Sequence, residues 1–238
     1  MKIIYIRFKT LIIAITIAII ILALIILLSF NFSSKAKDIF NIDDVYYKGT
    51  IDEKLIAFAC NVDWGNECIP GMLDIFRENN IKITFFVTGR WAEKNPELLK
   101  KIYENGHEIG NHGYFHRDYD KLNYEDNRDE INKADKVITD ILGIKSVYFA
   151  PPSGAYNKET IKAANELGYK VIMWSIDTID WRKDSTKDKI INRVISKHHN
   201  SAIVLMHPKE ETVKALPVII QNLKDKGYQI GAVSDIIK

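Results

Sequence analysis

Cysteine is scarce in this 238-residue chain, with only Cys60 and Cys68. Two thiols cannot build the disulfide framework of a small secreted scaffold or a cysteine-rich metal site. Cys60 falls in an apolar run and reads as a small core residue; a Cys60–Cys68 bridge stays open. An excess of one charge is also lacking. Lys and Arg number 33 against 31 Asp and Glu, a formal net charge of +2, which leaves no electrostatic footprint for nucleic acid. No Gly-x-Gly-x-x-Gly loop follows the first strand-like run, which argues against an open dinucleotide-binding sheet. Internal repeats and low-complexity tracts are absent as well.

The one long apolar run is Leu11–Phe30, free of charge and preceded by Lys2, Arg7 and Lys9. Its length suits a single transmembrane helix, and the flanking charges place the N-terminus in the cytoplasm and the rest outside the cell. Residues 1–31 are therefore expected to be a cytoplasmic stub and anchor. A cleaved signal peptide, with Ser34-Lys35-Ala36 as the cut site, is the rival reading and leaves the remainder equally exported. Residues 32–53 are polar and aperiodic, as in a tether. Residues 54–238 carry enough chain for one well-filled domain.

Within that domain short apolar runs alternate with amphipathic stretches. Strands are expected at Leu55–Cys60, Ile81–Val87, His107–Asn111, Ser146–Ala150, Tyr169–Ser175, Ala202–Met206 and Tyr228–Val233. Helices are expected at Ile69–Glu78, Pro96–Asn105, Asn123–Leu142, Lys158–Leu167, Thr186–Lys197 and Glu211–Lys226. About seven parallel strands alternating with helices predict an α/β fold, a distorted (β/α) barrel. In such a fold chemistry gathers where strands end at their C-terminal edge. Asp63, His112, Pro151-Pro152, Asp177, Asp180 and His207 all follow expected strands.

His112 and His116 are four residues apart, so one helical turn would bring both to the same side, able to converge on one ion. Alone, they are as well read as two exposed histidines in a polar loop. Their company decides otherwise. Asn61-Val62-Asp63-Trp64-Gly65, His112 to His116, Ala150-Pro151-Pro152-Ser153-Gly154, Asp177-Thr178-Ile179-Asp180-Trp181 and Leu205-Met206-His207 occur in this order. Together they resemble the five motifs of the NodB-like polysaccharide deacetylases, carbohydrate esterase family four, over about Lys54 to Ile237. The first segment is similar to that of the sporulation-associated branch.

The resemblance implies a barrel fold and hydrolysis of N-acetyl groups on cell-wall aminosugar polymer, peptidoglycan or a chitin-like glycan. It implies a divalent metal, most often zinc, held by Asp63, His112 and His116. It also implies a general acid, His207, oriented by an aspartate, for which Asp177 is preferred to Asp180. Asn61 stands where the family carries its general base. If the register is anchored on Gly65 instead, Asp63 is the base and Trp64 falls at the ligand position, which an indole cannot fill. Pro152, Ser153, Gly154, Tyr156 and Trp181 are expected to contact substrate. Trp64 and Trp174 suit either a sugar wall or core packing. Backbone amides of 152–156 are candidates for an oxyanion hole.

Two departures stand out. Asn61 is an amide with no useful basicity, and Ala150 replaces the arginine that orients the family's base. The two losses agree, because a guanidinium without its carboxylate would be an unpaired charge in a pocket. Three outcomes stay open: Glu67, Asp177 or Asp180 serves instead, a metal-bound water reacts with weaker help, or the domain binds glycan and metal without turnover. The sequence thus supports a monomeric deacetylase acting on a cell-wall glycan, with a glycan-binding pseudoenzyme as the alternative.

Overall fold

The computed structural model describes residues 17, 19–22 and 45–238. The backbone divides into two compact units, Met1–Ile42 and Asp43–Lys238. Most of the expected membrane span lies outside the described residues, and among those described no helix is long and apolar enough to cross a membrane.

The second unit is built on a parallel sheet. Its strands are β1 (Val45–Tyr46), β2 (Leu55–Val62), β3 (Thr84–Val87), β4 (Glu108–Asn111), β5 (Tyr148–Phe149), β6 (Lys170–Ile172), β7 (Ile176–Asp177), β8 (Ile203–Met206) and β9 (Gln229–Gly231). They run in the order β1-β6-β5-β4-β3-β2-β8-β7, with β9 also on β2. Every ladder is parallel. Among the described residues no ladder joins β1 to β7, so the barrel is incomplete.

The period-2 geometry of β2 explains its two environments. Ile56, Phe58, Cys60 and Val62 face the surrounding helices and pack with Met72, Phe76 and Leu216. Ala57 and Ala59 face inward with Phe86, Tyr148 and Ala150. The small inward residues leave room at the top of the same face, where Asn61 and then Asp63 follow. Side chains between sheet and helices such as Phe58, Phe76 and Phe85 are fully buried, each contributing roughly 2–3 kcal/mol.

All seven expected strands and six expected helices are present, most with ends trimmed by up to three residues, while β2 extends two residues further to Val62. Two strands of two residues each, β1 and β7, are additional, as are the short helices Gly89–Lys94 and Val233–Ile236 and the 3-10 turns Tyr119–Lys121 and Pro152–Gly154. Val45–Tyr46 falls in the stretch expected to be a tether, yet it pairs with Val171–Ile172 at the sheet's edge. Cys60 and Cys68 are both free, which closes the question of a bridge between them.

Candidate active site

The ends of β2, β4, β5, β7 and β8 surround a cavity of about 420 Å³, a size suited to a small ligand or one segment of a polymer. Asn61, Asp63, His112, His116, Ser153, Asp177 and His207 line it, together with Trp64, Trp174, Trp181 and Leu205.

His112 follows β4 directly, its backbone N–H donating to Val87 O at 2.9 Å. The segment to His116 is a loop, not the helical turn its spacing suggested. Gly113 (φ 71) and His116 (φ 56) bend it, and the two imidazoles approach at 5.2 Å between centroids, nearly perpendicular at 79°. His112 Nδ1 donates to Ala150 O at 2.6 Å, which leaves the lone pair on Nε2. Burial first, and the neighbouring His116 second, lower the His112 pKa to about 3. His112 is therefore neutral throughout the physiological range.

The expected third ligand, Asp63, lies beside this pair but is already engaged. Arg90 grips its carboxylate with two donors, Nε to Oδ1 at 2.7 Å and Nη2 to Oδ2. Thr88 Oγ1 adds a bond to Oδ1 at 2.6 Å. Burial alone would raise the Asp63 pKa, but the Arg90 and Thr88 hydrogen bonds and the Arg90 charge outweigh it and lower the value. The donor set thus offers two imidazoles and a carboxylate neutralised by a guanidinium. Among the described residues no group of three His, Cys, Asp or Glu side chains is arranged to hold a metal ion. As they stand, these residues do not fit the three-ligand centre that the resemblance implies.

Asn61 is 5% exposed and its Oδ1 is buried without a hydrogen-bond partner. Ala150, likewise buried, contributes its carbonyl to His112 and its side chain to the inward apolar cluster. The position expected of a base is therefore neutral and unassisted. Glu67 lines an adjoining cleft with Asn66, Arg90 and Lys94, which shares Asp63 and Trp64 with the cavity, and is not itself in the cavity lining.

The acid side is better formed, with a correction to its partner. Asp180, not Asp177, holds His207: Oδ1 lies 2.7 Å from Nδ1, and Oδ2 accepts the His207 backbone N–H at 2.7 Å. Thr212 Oγ1 donates to the same Oδ2 at 2.7 Å. Asp177 instead accepts the Ile179 N–H at 2.6 Å. Ile179 sits in the left-handed region (φ 52), unfavourable for a β-branched residue. Asp177 and the Ser185 hydroxyl, which donates to Ile179 O at 2.6 Å, hold the turn that places Asp180 beneath His207. Trp64 stacks on the His207 ring at 5.7 Å and 12°, and Lys209 Nζ lies 5.2 Å from the indole centroid.

Of the expected substrate contacts, Ser153 and Trp181 line the cavity. Pro152 is buried, and Gly154 packs so closely on Trp174 that a Cβ would meet its ring at 2.8 Å. Tyr156 bonds the Tyr47 hydroxyl at 2.6 Å and is not in the lining. The Gly154 and Ala155 amides close the turn onto Pro151 O and Pro152 O, each at 3.0 Å. They are spent as oxyanion donors. Trp64 and Trp174 prove to be cavity walls. Arg90 and Thr212 carried no sequence signal, since each acts on a residue from a distant strand end.

A family model described as polysaccharide deacetylase matches residues 48–172. The chain is 42% identical over 191 residues to the uncharacterised protein YlxY of Bacillus subtilis, covering 80% of this chain but only 60% of that one. It is 35% identical over 186 residues to a peptidoglycan-N-acetylglucosamine deacetylase of Bacillus cereus, covering 76% of this chain and 67% of the relative. Among solved structures it is similar to a CE4 family pseudoenzyme from Bacillus anthracis, with a TM-score of 0.79 and 38% identity over 81% of this chain and 68% of that one. A mutant of that pseudoenzyme with restored enzymatic activity superposes equally well. With the parallel incomplete barrel and the five motif segments gathered at its strand ends, the family match makes this chain a member of the polysaccharide deacetylase family.

Proposed function

We propose that this domain binds the aminosugar polymer of the bacterial cell wall in the cavity above β2 without turning it over. The observation that carries this reading is Asn61, a buried neutral amide with an unpartnered oxygen where a base would have to stand. Ala150, which leaves no guanidinium to orient a carboxylate there, supports it. So does the engagement of Asp63 by Arg90. Likeness to a pseudoenzyme of the same fold points the same way. Trp64, Trp174 and Trp181 give the cavity apolar walls suited to the faces of pyranose rings. The Leu11–Phe30 run would hold the domain at the outer surface of the cell membrane, within reach of the wall.

The deciding experiment combines two assays on the full chain, pelleting with insoluble peptidoglycan and acetate release from peptidoglycan and N-acetylated chito-oligosaccharide. The expected result is co-sedimentation without acetate release, with Trp181→Ala weakening sedimentation on the order of tenfold. Acetate release that zinc stimulates and chelator abolishes would refute the reading.

One observation favours slow hydrolysis as a second reading. His207 keeps its aspartate partner, and Asp177 lines the same cavity. In that case Asp177 would take a proton from water while His207 returned one to the leaving amine. Weak acetate release, lost in both Asp177→Asn and His207→Gln, would be its signature.

A further inference from the structure

We infer that Arg90 occupies the cationic place beside Asp63, so that the chain's own guanidinium, not a metal ion, neutralises this carboxylate. Both Asp63 oxygens face Arg90, one through Nε at 2.7 Å and the other through Nη2. The paired geometry is the fork in which guanidinium and carboxylate fit best. The Asp63 side chain is 9% exposed and that of Arg90 41%, so the pair is half-buried and lies between the loose surface ion pairs that contribute little and a fully buried pair.

Arg90 is also fixed from its backbone outward. The ladder that sets Val62 against Val87 brings the end of β3 beside Asp63. Thr88 then caps the helix Gly89–Lys94, accepting the Trp91 N–H, while its own hydroxyl donates to Asp63. The amides of Gly89 and Arg90 donate to Gly113 O at 2.8 Å and Tyr114 O at 3.2 Å. The loop that carries His112 and His116 is thereby tied to the arginine that takes up Asp63. Gly89 makes this approach close, since a Cβ there would meet Tyr114 Cδ2 at 2.5 Å.

A divalent ion recruiting Asp63 would have to displace a fitted donor or sit close to its positive charge. Two imidazoles alone make an incomplete set for zinc, whose sites usually take three or four protein ligands. Removing the guanidinium should leave Asp63, which lines the same cavity as His112 and His116, free to turn toward them as a third ligand. Cation binding at this place is independent of whether the domain turns glycan over.

The test is metal affinity of the full chain in mild detergent, stripped with chelator and titrated with zinc against a chromophoric competitor. Cobalt d–d absorption reports the coordination. The wild type is expected to bind zinc weakly and Arg90→Gln on the order of tenfold more tightly or better, with cobalt bands of a lower-symmetry site. Adding Asp63→Asn to Arg90→Gln should return the affinity to that of the wild type. Equal affinities of wild type and Arg90→Gln would overturn the inference, as would a gain that survives Asp63→Asn. Should Arg90→Gln fail to fold, the wild type decides by the Arg90 Nε–H resonance in nitrogen-15 spectra. Persistence of that signal at saturating zinc supports the inference, and its release by zinc overturns it.

Discussion

Asp180 lies beneath His207 and binds it twice, through the ring at Nδ1 and through the backbone N–H, both at 2.7 Å. With the Thr212 hydroxyl, three donors converge on one carboxylate that is 2% exposed. Removing it strands all three in a buried place. Asp180→Ala is therefore expected to destabilise the fold by about 3 kcal/mol or more. Asp177→Ala, which frees only the Ile179 amide, should cost about 1 kcal/mol. Urea unfolding of both variants checks the order; a costlier Asp177→Ala would show that the pairing is wrong.

Asn61 and Ala150 invite a coupled experiment. A carboxylate placed at position 61 would be buried without a partner, because even the amide oxygen there has none. Asn61→Asp alone is expected to cost about 2 kcal/mol or more at neutral pH. Ala150 faces the same interior as Ala57 and Ala59, the side from which a guanidinium could approach. Adding Ala150→Arg should recover part of the loss, with a coupling of about 1–3 kcal/mol in a double-mutant cycle. Strictly additive costs would mean that the two positions do not see each other.

Gly113 separates the two imidazoles and cannot carry a side chain cheaply. Its φ of 71 lies in the left-handed region, and a Cβ would fall 2.0 Å from the fully buried Tyr119 Oη. Gly113→Ala should destabilise by about 2–4 kcal/mol, the sum of backbone strain and overpacking. Tyr119→Phe removes the nearest atom but leaves Cζ at 2.8 Å and Cε2 at 3.1 Å from that Cβ, so it should relieve only part of the steric share. Thermal unfolding of the single and double variants measures that part, and a neutral Gly113→Ala would refute the close approach.

The longer elements were legible because their periodicity is strong: β2 alternates helix-facing and inward residues, and Asn157 with Thr160 forms a capping box before its helix. Strands β1 and β7 were not, since two residues carry no period; β5 is as short but sits in the apolar run Val147–Ala150. The cavity's membership was largely legible from strand ends, yet its pairings were not. Asp177 and Asp180 are three residues apart and equivalent in sequence; Ile179 in a left-handed turn decides which of them reaches His207. Arg90 meets Asp63 only because the ends of β2 and β3 are neighbours. Tyr156 turned away to Tyr47, which belongs to the segment expected to be a tether.

His107 supplies a pH dependence outside the cavity. It is 3% exposed and packs edge-on to Phe76 at 5.7 Å and Phe85 at 5.2 Å. Its Nδ1 accepts the Ile83 N–H at 3.2 Å, which requires that nitrogen to be unprotonated. Burial, and then the charge of Lys82, lower its pKa to about 4, against roughly 6.5 in an unfolded chain. Between these values the unfolded state binds the extra proton, so stability falls as the pH drops through this window and is fully present above it. His107→Gln removes this contribution, while His112 contributes with the same sign in both chains and cancels in the difference. From pH 7 to pH 5 the wild type should lose about 1–2 kcal/mol more than the variant, measured by urea unfolding at each pH. Equal losses in the two chains would mean that His107 does not carry the titration.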